Sequence, residues 1–81
     1  RDARIRRLLY RSRSTGTKEL DLWLSRFAAA ELGRMADAEL DEFESLLAMP
    51  GESLWLWLVG QGGINLSGPI AGRLRSFQPL A

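Results

Sequence analysis

Apolar side chains recur every three or four positions along most of this chain, and the breaks in that recurrence divide it into short helices. Over residues 3–13, Ile5, Leu8, Leu9 and Tyr10 form one stripe with arginines around the rest, which predicts an amphipathic helix. Ser12, Ser14, Thr15 and Gly16 follow, and their competition with the helical backbone should stop it near Arg13. From Thr17 or Lys18, the positions Leu20, Trp23, Leu24, Phe27, Ala28 and Leu32 keep a helical period, with Gly33 suited to the residue after the helix. A third helix is signalled by Asp37 near a cap position, Glu39 in the first turn, and Leu40, Phe43, Leu46 and Leu47 behind them, with Pro50 and Gly51 ending it.

The next run, Leu54 to Val59, is continuously apolar and is read as a short helix capped by Ser53 and closed by Gly60. Periodicity alone would equally allow a buried strand. A lone strand is the poorer reading, because nothing else in the chain alternates. Trp55 and Trp57 cannot both face one narrow core in a helix, so one of them, or Leu56, should be partly exposed. Residues 60–68 read as a loop, Pro69 as the first residue of a last helix through about Phe77, and residues 78–81 as a frayed tail. The pattern predicts an all-α, compact single-domain bundle of about five short helices over residues 1–77, with Tyr10, Trp23, Phe27, Phe43 and Trp55 in its core.

Composition narrows the chemistry. With 81 residues, 46% hydrophobic and 26% charged, the chain has material for one small folded domain. It has no cysteine and no histidine, which removes thiolate nucleophiles, cysteine zinc sites and the commonest general base. An enzyme is therefore not expected. The longest apolar run, six residues, is far below the roughly 20 needed to cross a bilayer. The basic start lacks the apolar core of a signal peptide and is read as part of the domain, in a chain whose missing initiator Met is consistent with trimming.

The net charge of +1 hides a segregation. Residues 1–18 hold seven basic residues against Asp2, residues 19–52 hold nine acids against Arg26 and Arg34, and Arg73 and Arg75 complete the balance. The two halves can bind each other or offer opposite faces to a partner. The acidic run Asp37, Glu39, Asp41, Glu42 and Glu44 lacks the spacing of a calcium loop and is read as a solvated helix face. Gly60-Gln61-Gly62-Gly63 lacks the context of a phosphate-binding loop. A basic helix before a turn superficially suggests helix-turn-helix, but Glu19, Asp21 and Glu31 on the second helix would repel DNA.

The stretch Ile5 to Leu22, then Arg26-Phe27, then Asp37 to Leu47, and finally Leu54-Trp55-Leu56-Trp57, resembles in order and spacing the succinate dehydrogenase assembly factor 2 family, whose bacterial members are called SdhE. The resemblance covers about residues 3–60. It implies a five-helix chaperone that binds the flavoprotein subunit of succinate dehydrogenase, or of fumarate reductase in some bacteria, and promotes covalent FAD attachment to a histidine of that client. FAD would be carried by the client and not bound stably by this chain. From the residues themselves, the expectation is a monomer that neither inserts into membranes nor binds nucleic acid; the missing targeting signal points to the bacterial cytoplasm or, if trimmed from a eukaryotic precursor, to the mitochondrial matrix.

The family signature, Arg-Gly-x-x-Glu between the first two helices, falls on Gly16 and Glu19, with Thr15 where the family has arginine and Ser14 where many members have histidine. Losing that arginine removes up to five donors, typically about 1.5–3 kcal/mol for one charged hydrogen bond. Partner-binding candidates are thus Thr15, Gly16 and Glu19, with Arg11, Arg13, Lys18 and Asp21 at the rim. Gly16 and Glu19 also have purely structural uses, a positive-φ turn and a first-turn acid. Ala36 replaces a capping serine of the relatives, at a cost of around 1 kcal/mol unless Asp37 takes over. Two rival functions are an antitoxin-like regulatory module and, on the basic arm, a nucleic-acid-binding domain.

Overall fold

A computed structural model of the chain describes residues 2–61, 66 and 68–77. Five helices follow one another: α1 (Asp2–Arg11), α2 (Lys18–Glu31), α3 (Asp37–Leu47), α4 (Gly51–Leu58) and α5 (Pro69–Ser76), with a 3-10 turn, Leu32–Arg34, between α2 and α3. No strand occurs among the described residues. The all-α expectation holds, and the Leu54–Val59 run is helical.

α2 is the central element because its stripe buries Leu20, Trp23, Leu24, Phe27 and Ala28, which touch every layer around it. Phe27 packs against Phe43 of α3 with ring centroids 5.8 Å apart, and meets Phe77 edge-on at 5.6 Å. Trp23 stands edge-on to Trp55 of α4 at 6.2 Å, and its indole Nε1–H donates to the carbonyl of Leu74 at 2.9 Å. α5 is thereby fixed to the core by a directional bond as well as by Ile70, Ala71 and Leu74. α1 contributes one fully buried apolar side chain, Leu8, with Ile5 and Leu9 at the margin.

Several boundaries differ from the periodic reading, each for a local reason. α1 stops at Arg11 and not near Arg13, because Arg13 and Ser14 donate to the carbonyls of Tyr10 and Arg11 in tighter turns while Ser12 and Ser14 hydroxyls bond Leu9 and Tyr10 carbonyls. Gly33 is not the positive-φ residue after α2; it lies inside the 3-10 turn, which delivers Met35 into the core. α4 begins at Gly51 rather than after Ser53, with the carbonyl of Pro50 accepting from Leu54 N–H at 3.1 Å. Pro50 and Gly51, read as an end signal for α3, thus also start α4.

The end of α4 is a Schellman closure: Gly60, at φ +79, donates to Trp57 O, and Gln61 donates to Leu56 O at 2.9 Å. Trp57 is buried while Trp55 and Leu56 are half-buried, as the helical geometry demanded. Of the 60–68 loop, residues 62–65 and 67 lie outside the described residues, as does the 78–81 tail. Tyr10, assigned to the core, is instead 68% exposed. It belongs to the outward stripe of α1, Ala3, Arg6, Arg7 and Tyr10, all exposed.

The acidic run is likewise not simply a solvated face. Asp41 and Glu44 of α3 accept from Arg4 of α1 at 2.5 and 3.0 Å, and Glu44 also from Arg11 at 3.4 Å. The hydrogen bonds to Asp41 and then Glu44 hold the Arg4 guanidinium above its ordinary pKa. Glu42 accepts from Ala71 N–H at 2.9 Å, serving as a borrowed cap for α5, and Glu39 pairs with Arg73 at 2.6 Å. At its own N-terminus α3 has half a capping box: Glu39 accepts from Ala36 N–H at 2.8 Å, whereas the Ala36 methyl can accept nothing.

Candidate functional site

The turn between α1 and α2 is built by residues 12–17. Gly16 takes φ +96, backbone that a residue with Cβ adopts only under strain, and a Cβ there would still meet no atom within 4 Å. Backbone conformation, not crowding, calls for glycine. Asp21, one turn into α2, reaches back so that its Oδ1 accepts from Thr15 N–H at 2.8 Å and also from the Thr15 hydroxyl. Thr17, the residue capping α2, makes no side-chain cap bond, so Asp21 is the carboxylate that ties this turn down. These two bonds are internal to the turn, an engagement that the reading of Asp21 as a rim candidate did not include.

The turn leans on α4. A Cβ on Gly51 would lie 3.3 Å from the Thr15 carbonyl oxygen and 3.8 Å from Thr17 Oγ1, so the absence of a side chain at Gly51 permits this close approach. Beside the contact runs an open groove of about 260 Å³, with Tyr10, Arg11 and Thr15 on one wall and Leu47, Met49 and Gly51 on the other. Such a groove, with an apolar floor and a guanidinium and hydroxyls at its edge, can seat a partner's side chains and orient them by hydrogen bonds. Among the described residues no group of three or more acidic side chains is placed to share a metal ion, and no helix is long and apolar enough to cross a membrane.

The candidate residues separate into three places. Thr15, Gly16 and Asp21 form the turn itself, and Arg11 stands at the groove edge while reaching Glu44. Lys18 and Glu19 are exposed in the first turn of α2. Arg13 faces elsewhere, lining a second groove of about 370 Å³ with Leu9, Ser25, Arg26 and Ala29. Tyr10 and Met49 were not among the candidates. Tyr10 could have been found from its i, i+3, i+4, i+7 register with Ala3, Arg6 and Arg7; Met49 carries no such signal.

Comparison with known proteins follows this geometry. The family model described as Sdh5, flavinator of succinate dehydrogenase, matches residues 6–77, which includes the turn, both groove walls and α5. Among curated proteins, the mitochondrial succinate dehydrogenase assembly factor 2 of Mycosarcoma maydis is 49% identical over 57 residues, covering 70% of this chain and 24% of the relative. That of Meyerozyma guilliermondii is 42% identical over 57 residues (70% and 42%), and that of Scheffersomyces stipitis 47% over 51 (63% and 34%). The chain therefore spans between a quarter and about two fifths of the length of these relatives. No solved structure matches at a significant level. A match running through nearly all of the chain, with the relatives agreeing, assigns it: the chain belongs to the Sdh5 family, the flavinators of succinate dehydrogenase.

Proposed function

We propose that this chain is a succinate dehydrogenase assembly factor that binds the flavoprotein subunit and promotes covalent attachment of FAD to it, docking through the α1–α2 turn. The observation that carries this reading is the family match through residues 6–77, a family of assembly factors and not of enzymes. The turn supports it physically. Its backbone is set in advance by Gly16 and by the Asp21 lock, so little ordering entropy is lost when a partner engages it. Thr15, Gly16 and Glu19 are the proposed contacts, with Arg11, Arg13, Lys18 and Asp21 around or beneath them.

The catalytic chemistry in this reading stays with the client and its flavin. Three grooves among the described residues, of about 260, 370 and 210 Å³, lie below or at the low end of the roughly 300–1,000 Å³ of drug-sized ligand pockets, and a dinucleotide such as FAD is a large ligand on that scale. The chain acts as a monomeric clamp, holding the client so that its own histidine and the flavin reach attack geometry, an effect of proximity. The mitochondrial names of the relatives support action in the mitochondrial matrix; bacterial members would do the same in the cytoplasm.

The test is flavinylation in a strain lacking its own factor, read as in-gel flavin fluorescence of the flavoprotein subunit. This chain should restore the signal and Glu19→Ala should lose it. Failure of both this chain and Thr15→Arg beside a working family control would overturn the reading.

A further inference from the structure

The two edges of α1 are in different electrostatic states. On the inward edge, Arg4 and Arg11, seven positions apart, are held by Asp41 and Glu44 of α3, two carboxylates nearly one helical turn apart. On the outward edge, Ala3, Arg6, Arg7 and Tyr10 form an exposed stripe, and among the described residues Arg6 and Arg7 have no ion pair or hydrogen bond. Arg13, exposed just beyond the helix, also has none. The arginines elsewhere are engaged: Arg34 with Glu31, Arg73 with Glu31 and Glu39, and Arg75 over the Trp57 ring at 5.4 Å. Arg6 and Arg7 thus place two unpaired cations on one helix face beside an exposed tyrosine, and arginine and tyrosine are side chains enriched where proteins bind proteins.

The fold itself displays the complement to such a face. α3 shows that two carboxylates about one turn apart on a helix can together hold a single α1 arginine, as Asp41 and Glu44 hold Arg4. We propose that the outward face of α1 docks a carboxylate-bearing helix of the flavoprotein partner, a second contact beyond the α1–α2 turn; this rests on the function proposed above. A membrane is disfavoured as the occupant because Tyr10 is the only large apolar side chain exposed on α1. A phosphate backbone is disfavoured by Asp2 at the start of the helix and Glu19 just past the turn.

The experiment titrates the purified flavoprotein subunit with the full chain, with an Arg6→Glu/Arg7→Glu variant and with Glu19→Ala. Both arginines are exposed, and circular dichroism confirms that the variant is folded. The charge-reversed variant should bind at least about tenfold more weakly at low salt, with a shallower salt dependence than the full chain. Equal binding by the full chain and this variant overturns the proposal. If the full chain does not bind the subunit at all, the function proposed above fails, and the face is decided by a synthetic helical peptide carrying glutamate pairs one turn apart. Amide shifts centred on Arg6, Arg7 and Tyr10 that vanish with the glutamine version of the peptide then support an acidic-helix surface, and no shifts overturn it. Tighter capture by phosphatidylglycerol vesicles or duplex DNA than by the subunit or peptide, lost in the reversed variant, overturns it in favour of a phosphate-bearing surface.

Discussion

One oxygen of Asp21, Oδ1, accepts both the backbone N–H and the hydroxyl of Thr15, locking the α1–α2 turn to the helix that follows it. Asp21→Ala leaves both donors without that partner and should cost about 1–3 kcal/mol, read as a lower urea midpoint at unchanged slope. Asp21→Asn keeps an acceptor and should lose less. A midpoint unchanged in both would show that Gly16 and the backbone hold the turn unaided.

Gly16→Ala isolates backbone strain from packing, since a Cβ would meet no atom within 4 Å while φ stays at +96. The expected loss is about 1–2 kcal/mol by chemical denaturation. Gly16→Asn should lose less, because asparagine tolerates positive φ better.

Thr15→Arg places a guanidinium over Asp21 at the proposed docking surface. One added charged hydrogen bond to the flavoprotein is worth about 1.5–3 kcal/mol, so affinity measured by titration calorimetry should rise tenfold or more. The melting temperature should change little, as the arginine can replace the lost hydroxyl contact to Asp21. Unchanged affinity would remove position 15 from the interface.

Gly68→Ala tests the borrowed cap of α5. At φ +126 a Cβ would come within 2.6 Å of Glu42 Oε2, the oxygen that accepts from Ala71 N–H. Strain and a lost cap together should cost about 2–3 kcal/mol. The effect should appear first as faster hydrogen exchange at Ala71 and along α5, with α2 exchange following only as global stability falls.

Trp23→Phe removes the indole N–H that bonds the Leu74 carbonyl, along with the edge contact to Trp55. The Leu74 carbonyl keeps the Phe77 N–H at 3.2 Å, so loss of the indole bond should cost about 0.5–1.5 kcal/mol, visible in thermal melts. The near-UV circular dichroism of the remaining tryptophans should also weaken.

Much of this architecture was legible in the chain because its helices obey local rules. The starts of α2, α3 and α5 follow from Lys18, Asp37 and Pro69, and the turn at Gly16 from the lone residue that accepts positive φ. Tertiary partners were not legible. Asp41 and Glu44 looked solvated because the arginines that engage them lie 33–40 positions away. The close approach of the Thr15 carbonyl to Gly51 at the start of α4 is a contact no short window of sequence contains. In the site, Gly16 and Glu19 stood out through the family signature. The work of Asp21 did not, because it depends on a side chain turning back six positions, and the wall formed by Leu47 and Met49 comes from a different helix junction.

The clamp of α3 on α1 also sets an order of events during synthesis. Arg4 is made 37 residues before Asp41, its first carboxylate partner. At about 5–20 residues per second the N-terminal helix waits roughly 2–7 seconds after its own translation before α3 exists to neutralise its inward edge. Until then Arg4 and Arg11 lack the carboxylates that hold them in the fold, and translation of the acidic helix is the step that supplies those partners.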